Sequence, residues 1–178
     1  MYKRQFLTAA AQLARADAGV RFVCVGHGPA AYRSELMRQA ASLALEDRVL
    51  WADEVGDMKA VYNAFDIATL ASAFGEGFPN VVGEAMACGV PVAATDVGDV
   101  RAIVGASGEV VPPGSPDLLC AAWRSLRQRL AHDPCLRENV RAAIVADYSL
   151  AAMLRRSEDV LTQLMTERPA RQIARDFG

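Results

Sequence analysis

The sequence predicts an α/β protein, a Rossmann-like parallel sheet sandwiched by helices, followed by further C-terminal helices. Three observations point there. Four short apolar runs alternate with helical patterns through the first hundred residues. The runs are apolar nearly throughout rather than at every second residue, as strands covered on both faces require. After Pro112-Pro113-Gly114 the pattern turns helical and stays so.

In chain order, Phe6-Leu7 opens an alanine-rich amphipathic helix, and Arg21–Val25 forms the first apolar run, closed by Gly26-His27-Gly28-Pro29. An amphipathic stretch then reaches about Leu45. Val49-Leu50-Trp51 is the second run, followed by a short helix near Asp57–Asn63. Asp66–Leu70 is the third and leads into a glycine-rich loop and a helix from Val81. Val90–Thr95 is the fourth; a turn at Gly98, a short helix and a minor strand at Glu109-Val110-Val111 come after it. Ser115-Pro116-Asp117 reads as an N-cap with proline at the first helical position. Helices are expected from there to about Leu130, from Pro134 to about Ala146, and from Ser149 to about Met165. The domain is placed at residues 6–166, with 167–178 as a tail. A parallel sheet opening on a helix implies at least one further strand upstream, so the sequence reads as a fragment.

Composition narrows the function classes. The 178 residues are 52% hydrophobic and 22% charged, with a net charge of -2. That balance and the lack of a Lys/Arg block argue against a nucleic-acid partner. No run of transmembrane length and no signal-peptide pattern stands out, which predicts a cytoplasmic protein. Cys24, Cys88, Cys120 and Cys135 are widely spaced, with no CxxC pair and no histidine at ligand spacing. They read as reduced thiols, Cys24 and Cys88 in the core, and no metal is expected.

The chemistry concentrates in FGEGFPNVVGEAMACGVPVAATDVG, residues 74–98. Glu84 is the only charged residue between Gly77 and Thr95. A carboxylate in so apolar a segment is costly to bury unless something binds it. Asn80 reads as the N-cap of a helix that Gly89 ends. The free N–H groups of Asn80, Val81 and Val82, with the helix dipole, make a mouth suited to phosphate. Glu84 lies one turn in, on the face of Asn80 and Val81; Glu76 lies in the loop on the other side of the mouth. Flanking carboxylates repel phosphate but accept hydrogen bonds from vicinal hydroxyls. A ligand with hydroxyls at both ends and phosphate in the middle satisfies them all: a nucleotide-diphosphate sugar. A salt bridge from Glu84 to Arg101 or another base, and a merely solvated Glu76, are the plainer alternatives.

The string EGFPNVVGEAMACGVPVAATDVG resembles the signature of the large family 4 of retaining glycosyltransferases of the two-Rossmann-domain GT-B type. Phe6–Gly28, Asp47–Ser72, Gly105–Pro113 and the final helices resemble that family in the same order. The resemblance implies the donor-binding half of such an enzyme, its N-terminal acceptor domain absent. Glu76 would be the catalytic-site acid holding the donor sugar's hydroxyls, and Glu84 would take the ribose hydroxyls. Amides around Gly77, Phe78, Pro79, Asn80 and Val81 would hold the sugar and diphosphate, and the loop at Gly26 would line the base side. It implies no cofactor and no metal. The acceptor, a glycan or lipid-linked glycan, and any peripheral membrane association would come through the missing half.

Two departures stand out. The family's Arg and Lys that neutralise the leaving diphosphate precede the first helix, and MYKRQ does not match their spacing, whether or not Lys3 or Arg4 is a remnant. Asp99 and Arg101 replace the usual acid after the Gly98 turn. One subunit of a split transferase, a non-catalytic nucleotide-sugar-binding module and a nucleotide-sugar epimerase are the rival readings; the EGFPN loop favours the transferase over the epimerase.

Overall fold

A computed structural model describes residues 3–176, with side chains from 4 to 166. All five strands fall within the expected runs: β1 Phe22–Cys24, β2 Val49–Trp51, β3 Ala68–Leu70, β4 Val92–Thr95 and β5 Glu109–Val111. Every pairing is parallel. The strands form two ladders rather than one, β1-β2 and β3-β4-β5, with no pairing of β1 to β3.

Among the described residues eight α-helices surround them: α1 Lys3–Ala16, α2 Ala30–Ser42, α3 Met58–Asn63, α4 Asn80–Ala87, α5 Val100–Val104, α6 Pro116–His132, α7 Leu136–Tyr148 and α8 Leu150–Asp176. Ser115 is the N-cap of α6 with Pro116 behind it, as expected, although its hydroxyl makes no capping bond. α7 starts at Leu136 rather than Pro134. α8 continues past Met165, so the expected boundary at 166 falls inside a helix; residues 177 and 178 of the expected tail lie outside the described residues.

Both faces of the sheet are covered, and the pleat shows how. In β4, Ala93 packs with α1 and α6 around Leu7, Leu119 and Trp123. Its neighbours Val92 and Ala94 point the other way, to Val82, Met86 and Val140 of α4 and α7. All four β4 residues are buried, the pattern of a central parallel strand. Phe6, Phe22 and Trp123 form an aromatic cluster, Trp123 lying 5.4 Å from Phe6 and 5.7 Å from Phe22 between ring centroids. Trp123 also donates its indole N–H to Thr69 Oγ1 at 3.0 Å, tying α6 to β3.

α1 is fixed at both ends. Gln5 donates to the carbonyl of Ala71, just past β3, at 2.8 Å, and accepts from Gly114 N–H at 2.6 Å. At the far end Asp17 pairs with Arg127 of α6 at 2.5 Å. Arg4 pairs with Glu35 of α2. Cys24 and Cys120 are buried, Cys88 is half-buried against the second core and Cys135 is exposed. Among the described residues no helix is long and apolar enough to cross a membrane.

Candidate functional site

The loops that carry the expected site residues leave the carboxyl ends of β1 and β3, the edge where open α/β sheets bind ligands. Gly26 lies two residues past the end of β1, at φ +112°, and its N–H reaches Asp53 O at 3.4 Å. His27 beside it is exposed. Asp53 pairs with Arg33, whose guanidinium holds the carboxyl below its ordinary value. The glutamate loop follows β3.

Glu76 is anchored to the sheet through hydroxyls. Ser72 Oγ donates to Glu76 Oε1 at 2.7 Å. The carbonyl of Ser72 in turn accepts from Thr95 Oγ1, at the end of β4. Thr95 is fully buried, and its hydroxyl also lies 3.4 Å from the carbonyl of Leu70. A polar side chain is stable there because its hydrogen bonds replace water. Glu76 is therefore half-buried and hydrogen-bonded, not merely solvated.

Gly98 fixes the other side of that loop. It has φ +53°, and a Cβ there would stand 2.3 Å from Glu76 O and 2.5 Å from Gly77 O. The following N–H, of Asp99, donates to Gly77 O at 3.1 Å. The turn after β4 is thus the seat on which Glu76 and Gly77 rest, and only glycine fits it. Arg101 pairs with Asp96 at 2.5 Å, so the salt bridge from Glu84 to Arg101 does not form.

At α4 the cap shifts by one residue. Pro79 is the N-cap and Asn80 is already helical; no side chain caps the helix. Proline's fixed φ sets the chain up to enter a helix one residue early. Val82 N–H turns back to Pro79 O at 3.0 Å. Of the three donors expected at the mouth, Asn80 and Val81 therefore remain ahead of the first helical bond. Gly89, at φ +74°, ends the helix as expected.

Glu84 is exposed, so the cost of burying its charge does not arise. It is nonetheless held: Tyr62 of α3 donates its hydroxyl to Glu84 Oε2 at 2.8 Å. Tyr62 is 5% exposed. Burial first, and then the bond to Glu84, raise its phenol well above the ordinary value of 10.0. The fold thus favours the neutral phenol, and this stabilisation is complete below pH 10 and lost as pH rises beyond it. Tyr62→Phe should accordingly flatten the fall in stability between about pH 9.5 and 11.5, measured from urea midpoints; an unchanged slope would mean that Tyr62 does not govern it.

Asn80 and Glu84 line a cavity of about 300 Å³ with Phe78, Ile144 and Tyr148. Phe78 packs against Tyr148 of α7, ring centroids 5.3 Å apart and tilted by 52°, so its ring belongs to this side. Val81 does not share that cavity; it faces the cleft between the two ladders. Among the described residues no cluster of three or more His, Cys, Asp or Glu could hold a metal ion.

Three residues of the site escape the sequence reading, Tyr62, Ser72 and Thr95, and Gly98 is read there only as a turn. Thr95 carries a signal, being the polar end of an otherwise apolar strand. The partnership of Tyr62 with Glu84 spans 22 residues and has none.

Comparison with known proteins accords with this fold. Residues 3–129 match the family model described as glycosyl transferases group 1. The chain is 35% identical over 152 residues to the D-inositol 3-phosphate glycosyltransferase of Streptosporangium roseum, covering 79% of this chain and 34% of that protein. Among solved structures, Anabaena HepE in complex with UDP superposes with a TM-score of 0.79 at 25% identity, over 91% of this chain and 46% of that one. The C-terminal domain of a group 1 family glycosyl transferase, LpcC, from Francisella tularensis has the same fold, with a TM-score of 0.70 at 22% identity over 83% of this chain and 80% of that one. The chain spans about one third of the length of the curated relatives it matches. A parallel α/β sandwich with its glutamate loop seated at the carboxyl edge of the sheet, matched along most of its length, places this chain in the group 1 glycosyl transferase family.

Proposed function

We propose that this chain is the donor-binding half of a retaining glycosyltransferase that moves a sugar from a nucleotide-diphosphate sugar to an acceptor hydroxyl. The observation that carries the reading is a pair of tethered carboxylates, Glu76 in the loop before α4 held by Ser72, and Glu84 one turn into α4 held by Tyr62. Both keep acceptor capacity for ligand hydroxyls, since an ionised carboxylate offers about four lone-pair sites and each uses one here. The N–H groups of Asn80 and Val81, with the α4 dipole, take the diphosphate between them. HepE, the structural neighbour, has been solved with UDP and with UDP-glucose, which supports a nucleotide-sugar ligand.

In this reading the bond between the anomeric carbon and the diphosphate oxygen breaks, and the electron pair leaves on the diphosphate. The helix mouth stabilises that charge as it develops, which accelerates the step where ground-state binding alone would not. Glu76 orients the sugar through its hydroxyls and need not become a nucleophile. The loop at Gly26, across the carboxyl edge, lines the base. No metal enters this scheme. An acceptor-binding half, carried on further polypeptide, supplies the hydroxyl whose oxygen forms the new bond as its proton passes to the departing diphosphate, so residues 6–166 alone bind donor without transferring it.

Calorimetric titration with UDP-glucose, GDP-mannose and ADP-glucose tests the reading and picks the base. For the donor that binds, Glu84→Ala should weaken affinity by about 1–3 kcal/mol, the worth of hydrogen bonds to a charged group. Unchanged affinity would take Glu84 out of the site. Failure of all three donors to bind would overturn the reading itself.

A further inference from the structure

α4 carries a glycine that its backbone does not require. Gly83 lies in the middle of the helix and is not among the residues with positive φ. Glycine inside a helix costs about 1 kcal/mol relative to alanine, so its presence there asks for a reason. Crowding is not that reason. A Cβ at Gly83 would meet Phe78 Cε1 at 3.7 Å and Ile144 Cδ1 at 4.0 Å, both ordinary contact distances. The missing methyl instead leaves space open, because Gly83 lines the cavity of about 300 Å³ between α4 and α7.

That cavity is on the α7 side of α4, whereas Val81 and Tyr62 line the cleft on the other side. Two of its walls are aromatic. Phe78 and Tyr148 are 44% and 40% exposed, and their ring planes meet at 52° rather than stacking face to face. Ile144 and Val145 continue the apolar lining. Glu84 supplies the only charge among the described residues that line it. Glu84 has no ion pair among the described residues. Its hydrogen bond, at Oε2, comes from the neutral phenol of Tyr62. Arg141 of α7 donates to Ala87 O, at the carboxyl end of α4, and leaves that charge unmatched. Apolar walls around one polar group are the make-up of a small-ligand site, and the volume stands at the lower end of the usual range of roughly 300–1,000 Å³.

The sign of the charge sets the class of ligand. An anion would be repelled by Glu84, and a neutral ligand would leave the carboxylate uncompensated. A cation gains from both features of the cavity. An ammonium within about 6 Å of an aromatic face is attracted by the ring. Its N–H groups also make charge-assisted hydrogen bonds to a carboxylate.

We propose that the cavity between α4 and α7 binds a small amphipathic cation, its ammonium on Glu84 beside Phe78 and Tyr148 and its apolar body over Gly83. The site stands apart from the donor reading, although both use Glu84. In that reading the cation and the ribose hydroxyls compete for one carboxylate, so the two ligands are antagonists.

Phenethylammonium, phenethyl alcohol and phenylacetate share a ring and differ in charge, which makes them probes for the full chain of 178 residues. They are titrated without donor and followed by NMR at the Ile144 methyl groups and the Tyr148 ring. Phenethylammonium should bind about tenfold or more tightly than phenethyl alcohol, with phenylacetate the weakest. Glu84→Gln should remove the preference for the cation while phenethyl alcohol binds as before, a sign that the cavity is intact. Gly83→Ala should weaken phenethylammonium by about tenfold or more at an equal or higher Tm, because alanine favours the helix and its methyl occupies the cavity without a clash. Equal affinity for the three probes, or binding of none, overturns the proposal. Tighter binding of phenylacetate does so too, by assigning the site to the N–H groups at the start of α4. Shifts at Val23 and Thr69 in place of Ile144 and Tyr148 would put the probe in the cleft between the ladders and equally overturn it. Unaltered affinity in Gly83→Ala would rule out the placement over Gly83.

Discussion

Gly98→Ala should lower Tm by roughly 5–10 °C and weaken donor binding by more than about tenfold. The substitution touches neither proposed carboxylate, so its effect would come wholly through the main chain. A residue with a Cβ held at φ +53° carries about 1–3 kcal/mol of strain. Steric overlap costs more than this strain. The new methyl would stand 2.3 Å from Glu76 O, a main-chain atom that cannot rotate away. Either the turn after β4 or the Glu76–Gly77 loop must move, and the bond from Asp99 N–H to Gly77 O is lost with it. At about 2–4 °C per kcal/mol for a chain of this size, the strain and the lost bond together give the stated fall. Thermal unfolding and calorimetry with the donor check both halves. A variant with native Tm and native affinity would show that the loop does not rest on Gly98.

Trp123→Ala should be the most damaging single change to stability, costing about 3–5 kcal/mol. The indole is 3% exposed and packs against Phe6 and Phe22, so it links α6 to both α1 and β1. Its removal also leaves the Thr69 hydroxyl without its donor. Trp123→Phe should cost markedly less, since much of the ring area returns and only the hydrogen bond is missing. Denaturant unfolding distinguishes them through the midpoint at constant slope. Equal losses for the two variants would mean that the hydrogen bond, not the packing, governs the site.

The fold is legible in the sequence because its signals are local. Val49-Leu50-Trp51 and Glu109-Val110-Val111 coincide with β2 and β5. These short apolar runs end at turn residues, and nothing distant can shift them. The division of the sheet is not legible, because the order of parallel strands depends on crossovers and not on any residue in a strand. The α4 cap lies one residue from its expected place for a physical reason: Asn80 is the better capping side chain, but Pro79 already fixes the entry angle. The burial expected of Glu84 does not occur. It does stand on an apolar helix, but the exposed side of that helix is decided only once α3 and α7 are in place. Ser72 gives no warning of its role, and Thr95 signals only that a polar residue ends an apolar strand, because a hydroxyl has no sequence signature until its acceptor, Glu76 or the carbonyl of Ser72, is brought to it.

The chain of bonds from Thr95 through Ser72 to Glu76 bears on the thermodynamics of association. A glutamate on an untethered glycine-rich loop must surrender side-chain and main-chain freedom whenever a ligand arrives, and an immobilised side chain of this kind costs about 0.5–1.5 kcal/mol. Here that ordering is already accomplished when the protein folds, with β4 as the anchor. In the proposed donor site a ligand would meet a carboxylate whose entropy was surrendered beforehand, so more of the hydrogen-bond enthalpy would survive as affinity.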